Sequence, residues 1–230
     1  KAHLLVKEST IHYEDFEADK LLKKTELFID DLSNWYIRRN RRRFWKSEND
    51  TDKFVAYQTL YDVLMMLIKL LAPILPFITE RMYLNISKDD PKEQHKSVHL
   101  SPYVLSDDNK IDLDLLKKVE TLKKIIESGR AARKKANIKV RQPLSNLKIF
   151  EKDASLTPFI LEQKQLILDE LNIKSITINS DLKEMGSFVV KPNFKILSSK
   201  YEGDMQSAVK YIGTLDQYEV MENYLNNDQI

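Results

Sequence analysis

Leu32-Ser33-Asn34-Trp35-Tyr36-Ile37-Arg38-Arg39-Asn40-Arg41-Arg42-Arg43-Phe44-Trp45 decides how the chain is read. Phe28, Leu32 and Trp35 fall at i, i+4 and i+7, one stripe of an α-helix, and the spacing predicts a helix over residues 20–46. Arg38/Arg42 and Arg39/Arg43 are i, i+4 pairs that surround the azimuth of that stripe. A packed helix would then bury several charges at high cost. Either the helix leaves the core here or partners neutralise the arginines. Those partners are internal acids or the phosphates of a nucleic acid, whose geometry suits the planar guanidinium fork. Trp35 and Tyr36 read as core residues. Trp45 stands between core and base-stacking platform.

Working outward, Phe54, Tyr57, Leu60, Tyr61, Leu64, Leu67, Ile68 and Leu71 make a wide apolar face, predicting a second helix over residues 52–71, with Asn49 or Asp50 as cap. Pro73 and Pro76 end or kink it. A short helix is expected over 77–86, then a polar, exposed connector over 87–110. Leu115, Val119, Leu122, Ile126 and Gly129 predict a long helix over 112–137, where Gly129, Ala132 and Ala136 permit close approach of a neighbour. Beyond Pro143 come short β-type runs at 147–150, 175–179 and 188–191. A helix with Thr157 as N-cap and Pro158 at its first position ends near Asn172, and a last helical stretch covers 204–226. The expected fold is mainly α: an antiparallel helical bundle over residues 1–143, then a small α+β domain over 144–230.

Composition narrows the function. The chain has 230 residues, 42% of them hydrophobic and 31% charged, with net charge +2 and no cysteine. Disulfides and cysteine-ligated metal sites are excluded. The longest apolar stretch, residues 64–78, is interrupted by Lys69, Pro73 and Pro76, so no membrane span is expected. The near-neutral total conceals a strong asymmetry. Residues 23–46 carry net +5 and residues 117–141 net +8, while the rest carries −11. Basic charge gathered in two segments points to a polyanion, nucleic acid above all, or to two solvated helix faces. The second segment holds Arg130, Arg133, Lys134, Lys135, Lys139 and Arg141, more cations than a helix C-terminus needs. Four glycines scattered at 129, 186, 203 and 213 leave no phosphate loop. His95 and His99 have ligand-like spacing but no second pair, and read as surface residues. No acid/base pair is marked. The chain opens at Lys1 without an initiator methionine and reads as a piece of something longer.

At the arginine run the sequence resembles the start of the anticodon-binding bundle of isoleucyl-tRNA synthetases, which are class I enzymes. Tyr57-Gln58-Thr59-Leu60-Tyr61 and Leu70-Leu71-Ala72-Pro73-Ile74-Leu75-Pro76-Phe77-Ile78-Thr79-Glu80 are similar to that family's next helix and its proline-bounded bend. Ser97-Val98-His99-Leu100, Gly129-Arg130-Ala131-Ala132-Arg133 and Arg141-Gln142-Pro143-Leu144 resemble its connector, third helix and following loop. Glu170-Leu171-Asn172-Ile173-Lys174 and Val190-Lys191-Pro192-Asn193-Phe194-Lys195 look like the C-terminal extension of one branch. Leu197-Ser198-Ser199 departs from the family's usual Leu-Gly pair.

The His-Ile-Gly-His and Lys-Met-Ser-Lys-Ser motifs that handle ATP in this family are absent, and so is any sign of an editing domain. The resemblance therefore implies a cytoplasmic ligase whose N-terminal catalytic and editing domains lie outside this sequence. That ligase would attach isoleucine to tRNA(Ile) using ATP and Mg2+. This part would need no cofactor and would hold the anticodon arm, with Arg38, Arg39, Arg41, Arg42, Arg43, Trp45, Arg130, Arg133, Lys134, Lys135, Lys139 and Arg141 as candidate RNA contacts. The alternatives are a free-standing RNA-binding or scaffolding protein, or a structural helical protein that satisfies its arginines internally.

Overall fold

A computed structural model describes residues 1–45, 50–91, 93, 95–152, 154–186 and 205–227. The protein is mainly helical, with a small two-stranded parallel sheet. It divides into two compact units, residues 1–113 and 114–230.

In the first unit, α1 (Ala2–Glu14) and α2 (Ala18–Asp31) are joined through Asp15, Phe16 and Glu17. Leu5 and Val6 from α1 meet Leu21 and Phe28 from α2 in one buried cluster. Helix α4 (Asp50–Leu71) completes it with Leu67, Leu70 and Leu71. Removing such side chains from water is the main stabilising term, about 1.5–3 kcal/mol each. The Tyr13 hydroxyl donates to Leu70 O at 2.7 Å and ties α1 to α4. Helix α5 (Pro76–Ile86) starts on a proline, whose missing amide costs nothing in a first turn. Its Tyr83 is fully buried, in a second cluster with Met65, Ile68, Ala72 and Val98.

The helix expected over residues 20–46 is not continuous. Residues Leu32–Ile37 form a π-helical turn, followed by the short α3 (Arg41–Trp45). A π turn holds one residue more than an α turn, so the buried stripe moves one position along the chain. Tyr36 packs against the core cluster, where the α spacing placed Trp35. Trp35 is only half-buried. Phe44, which the periodicity did not single out, is 5% exposed. Its ring meets Tyr36 and Tyr57 edge-on, with centroids 6.4 and 5.0 Å away.

Three other expectations change in this unit. The apolar face of α4 is covered only toward its C-terminal end: Phe54 is 67% exposed, and Tyr57 is exposed as well. Helix α4 is also long and apolar enough, by length and composition, to cross a membrane, although the sequence reading expected no such segment. Its Met65, Leu67, Ile68, Leu70 and Leu71 are nevertheless buried inside the unit. The connector over residues 87–110 is docked, not merely exposed. Val98 is buried, and its amide and the Ser97 hydroxyl both donate to the Glu80 carboxylate at 2.9 Å.

The second unit opens with α6 (Leu113–Lys135). Compactness thus places this helix with the sheet, whereas the change of sequence texture falls at 143. The packing reason is visible at Gly129. A Cβ there would lie 2.5 Å from a methyl of Leu171, a buried residue of α8 (Lys164–Leu171). Ala132 and Ala136, expected to share this role, are exposed. Strands β1 (Leu144–Phe150) and β2 (Ile173–Asn179) pair in parallel, with Leu144 opposite Ile173 and Phe150 opposite Asn179. The connection between them carries α7 (Thr157–Glu162) and α8, which are separated at Gln163. Thr157 is not the side-chain cap. Its hydroxyl donates to Glu151 at 2.5 Å, and the Leu156 amide donates to the same carboxylate. The last helical stretch is two helices, α9 (Met205–Thr214) and α10 (Gln217–Asn227). The β-type run at 188–191, the motif at 190–195 and Leu197-Ser198-Ser199 lie outside the described residues.

Two outcomes test this account. Phe44→Ala should cost roughly 3–5 kcal/mol in urea unfolding, against about 1–2 for Trp35→Ala, whose ring is already half in water; the reverse order would place Trp35, not Phe44, in the core. His3 provides a pH test. Its Nδ1 accepts from the Asp107 amide at 3.1 Å. Burial first, then Lys110, holds its pKa below the ordinary value. The neutral ring is the folded form, so its stabilisation is complete above a pH of about 6.5 and is lost as the pH falls through the lowered value. The stability difference between wild type and His3→Asn should therefore shrink between pH 7 and 5; a constant difference would remove His3 from the account.

Candidate nucleic-acid interface

The two basic segments lie in different units. In the first, Asn40 Nδ2 donates to Tyr36 O at 2.8 Å across the end of the π turn. Beyond this point the arginines separate. Arg38, Arg39, Arg41 and Arg42 are exposed. Arg38 Nε donates to Asn34 O at 3.0 Å. The Arg39 guanidinium lies over the Trp35 ring at 5.9 Å, and that of Arg41 over Trp45 at 5.1 Å. Trp45 is 68% exposed, so its ring remains open to solvent and is no core residue.

Arg43 is different. Its Nε reaches Asp52 Oδ2 at 2.9 Å and a terminal nitrogen reaches Oδ1 at 2.6 Å, while another nitrogen donates to Asn40 Oδ1 at 3.2 Å. Hydrogen bonding to Asp52 raises the arginine's pKa, and the same contact holds the Asp52 carboxyl below its ordinary value. For Arg43 the internal-acid reading applies. The sequence reading missed Asp52 because nothing in helical spacing links it to Arg43 across the intervening loop.

In the second segment, Lys134, Lys135, Lys139 and Arg141 are exposed. Arg130 pairs with Glu170 of α8. Arg133, expected at the surface, is 4% exposed. One terminal nitrogen donates to Lys139 O at 3.2 Å and Gln142 O at 2.9 Å, and the other to Asn172 O at 2.9 Å. Its guanidinium is taken up by backbone carbonyls. Helix α6 ends on Asn137 in the left-handed region, φ 55°. The Ile138 amide returns to Arg133 O at 2.9 Å, and that of Asn137 to Lys134 O at 3.1 Å.

The exposed groups of both segments are forked or flexible cations. They suit phosphate oxygens, and one exposed indole suits a base. Among the described residues, no group of three or more His, Asp or Glu side chains could hold a metal ion. His99 turns to Pro76 O at 3.3 Å.

The family model of the anticodon-binding domain of tRNA ligases matches residues 1–149. The chain belongs to this family. Among its relatives, the isoleucine–tRNA ligase of Clostridium kluyveri is 38% identical over 226 residues, 98% of this chain and 21% of that protein. That of Clostridium novyi is 36% identical over 230 residues, 100% of this chain and 22% of the relative. That of Treponema pallidum is 35% identical over 218 residues, 95% and 20% respectively. The chain thus spans about a fifth of the relatives' length, in their C-terminal region. The anticodon-binding match runs past the boundary of the first compact unit and includes α6 and β1.

Within this domain the arginines should divide in their effect on stability. Arg133→Met removes charge-assisted hydrogen bonds to three carbonyls and should cost roughly 2–4 kcal/mol. Arg41→Ala, at the surface, should stay within about 0.5 kcal/mol. Urea unfolding of both variants measures the contrast, and equal effects would contradict the burial of Arg133.

Proposed function

We propose that this chain is the tRNA-binding part of an isoleucine–tRNA ligase. The ligase would join isoleucine to tRNA(Ile) in the cytoplasm with ATP and Mg2+, using N-terminal catalytic and editing domains outside this sequence. The present chain holds the anticodon arm and contributes no reacting group. The observation that carries the reading is the outward turn of Arg38, Arg39, Arg41 and Arg42 immediately after the π turn, beside an exposed Trp45. Similarity over the whole chain to ligases for isoleucine supports the choice of tRNA.

The contact set is narrower than the sequence suggested. Arg38, Arg39, Arg41, Arg42, Lys134, Lys135, Lys139 and Arg141 face phosphates, and Trp45 offers a stacking face to an unpaired base. Arg43 and Arg130 serve mainly their carboxylates, and Arg133 the loop carbonyls.

Phosphate contacts release counterions. With about five phosphates neutralised, at a slope near −0.7 each, affinity for tRNA should fall roughly a hundredfold between 50 and 200 mM salt. Arg41→Ala and Lys134→Ala should each weaken cognate and non-cognate tRNAs alike and make the slope shallower by about 0.7. Fluorescence anisotropy with labelled tRNA at several salt concentrations reads both quantities. Binding that ignores salt, or no binding at micromolar protein, would refute the reading.

A further inference from the structure

The Gln142 amide donates to Lys139 O at 3.0 Å, closing a β-turn with Val140 and Arg141 at its centre. Two side chains latch this turn from behind. Arg133 donates to Lys139 O and Gln142 O, and Asn172 Nδ2 donates to Val140 O at 3.0 Å. The carbonyls of Lys139 and Val140 therefore point back at the latch. Each belongs to a planar trans peptide whose N–H points the opposite way. Those N–H groups are the amides of Val140 and Arg141, and neither has a partner among the described residues. Val140 itself is 51% exposed, in keeping with an outward-facing turn.

Consecutive amides facing solvent form a concavity that attracts anions. Here the exposed side chains of Lys139 and Arg141 flank it. Behind it, the buried Arg133 pairs with no carboxylate among the described residues, so its positive charge adds to the local field. We propose that the turn Lys139-Val140-Arg141-Gln142 is a phosphate-binding turn that takes one backbone phosphate of RNA on the amides of Val140 and Arg141, with Arg133 and Asn172 as positioning residues. The proposal rests on the RNA-binding reading above and deepens it. A flexible basic loop would offer charge alone. This turn offers fixed donors as well.

Proline suits the first central position of a β-turn and deletes only the amide hydrogen there. The test therefore compares Val140→Pro with Val140→Ala in the 230-residue chain, using tRNA anisotropy at fixed salt together with melting curves. Loss of one hydrogen bond to a charged oxygen should weaken Val140→Pro about tenfold, equally for cognate and non-cognate tRNAs, while Val140→Ala stays within about twofold of wild type. If wild type and Val140→Pro bind equally, the turn is no phosphate site but the RNA-binding reading stands. A wild type that binds no tRNA overturns both. Should Val140→Pro fail to fold, the amide resonances of Val140 and Arg141 in the wild type decide. They should shift on adding tRNA, and unmoved resonances would overturn the proposal.

Discussion

The first unit depends on the π turn at Leu32–Ile37. An α-helix carried straight from Phe28 would bring guanidinium groups into the azimuth of its own apolar stripe, and burying them would cost more than the packing returned. One extra residue in a turn rotates everything downstream. Tyr36 and Phe44 become the inward anchors, and their edge-on rings link the segment to Tyr57 of α4. Four arginines are released to solvent on a short, firmly anchored element. The same local adjustment thus resolves the conflict between core and charge and creates the candidate interface.

The second unit reaches a comparable end by other means. It has no turn of the helix to spare, because Gly129 must lie against Leu171. Its basic groups separate by depth. Arg133 goes inward and donates to three carbonyls, while Lys134, Lys135, Lys139 and Arg141 stay outside. A buried cation whose acceptors are all carbonyls is tolerated because each neutral dipole contributes a charge-assisted hydrogen bond. The arrangement fixes a loop that would otherwise be free to sample many conformations.

A match that extends to residue 149, across two compact units that meet at 113, shows that the family's domain and a unit of packing need not coincide. The match follows a stretch of sequence related to the anticodon-binding domain of tRNA ligases. Compactness follows which faces bury each other, and α6 buries Leu122 and Ile126 and sets Gly129 against α8.

The sequence by itself determined the helical class, the positions of α4, α5 and α6 to within a few residues, the two paired strands, and the concentration of charge in two segments. Each of these follows from local periodicity, proline placement or a simple count. The family was legible in the same way, through the arginine run and the proline-bounded bend. What only the tertiary structure decided was which cations are available to a partner. Arg43 looks like its neighbours until Asp52 is brought beside it, and Arg133 looks like Lys134 until the carbonyl of Asn172 arrives from another element. That Trp35 is only half-buried and Phe44 is buried was not legible, because a π turn leaves no mark in an i, i+4 pattern. The physical reason is common to all three. Burial and pairing are properties of surfaces that meet across long stretches of chain, and helical spacing describes only one surface at a time.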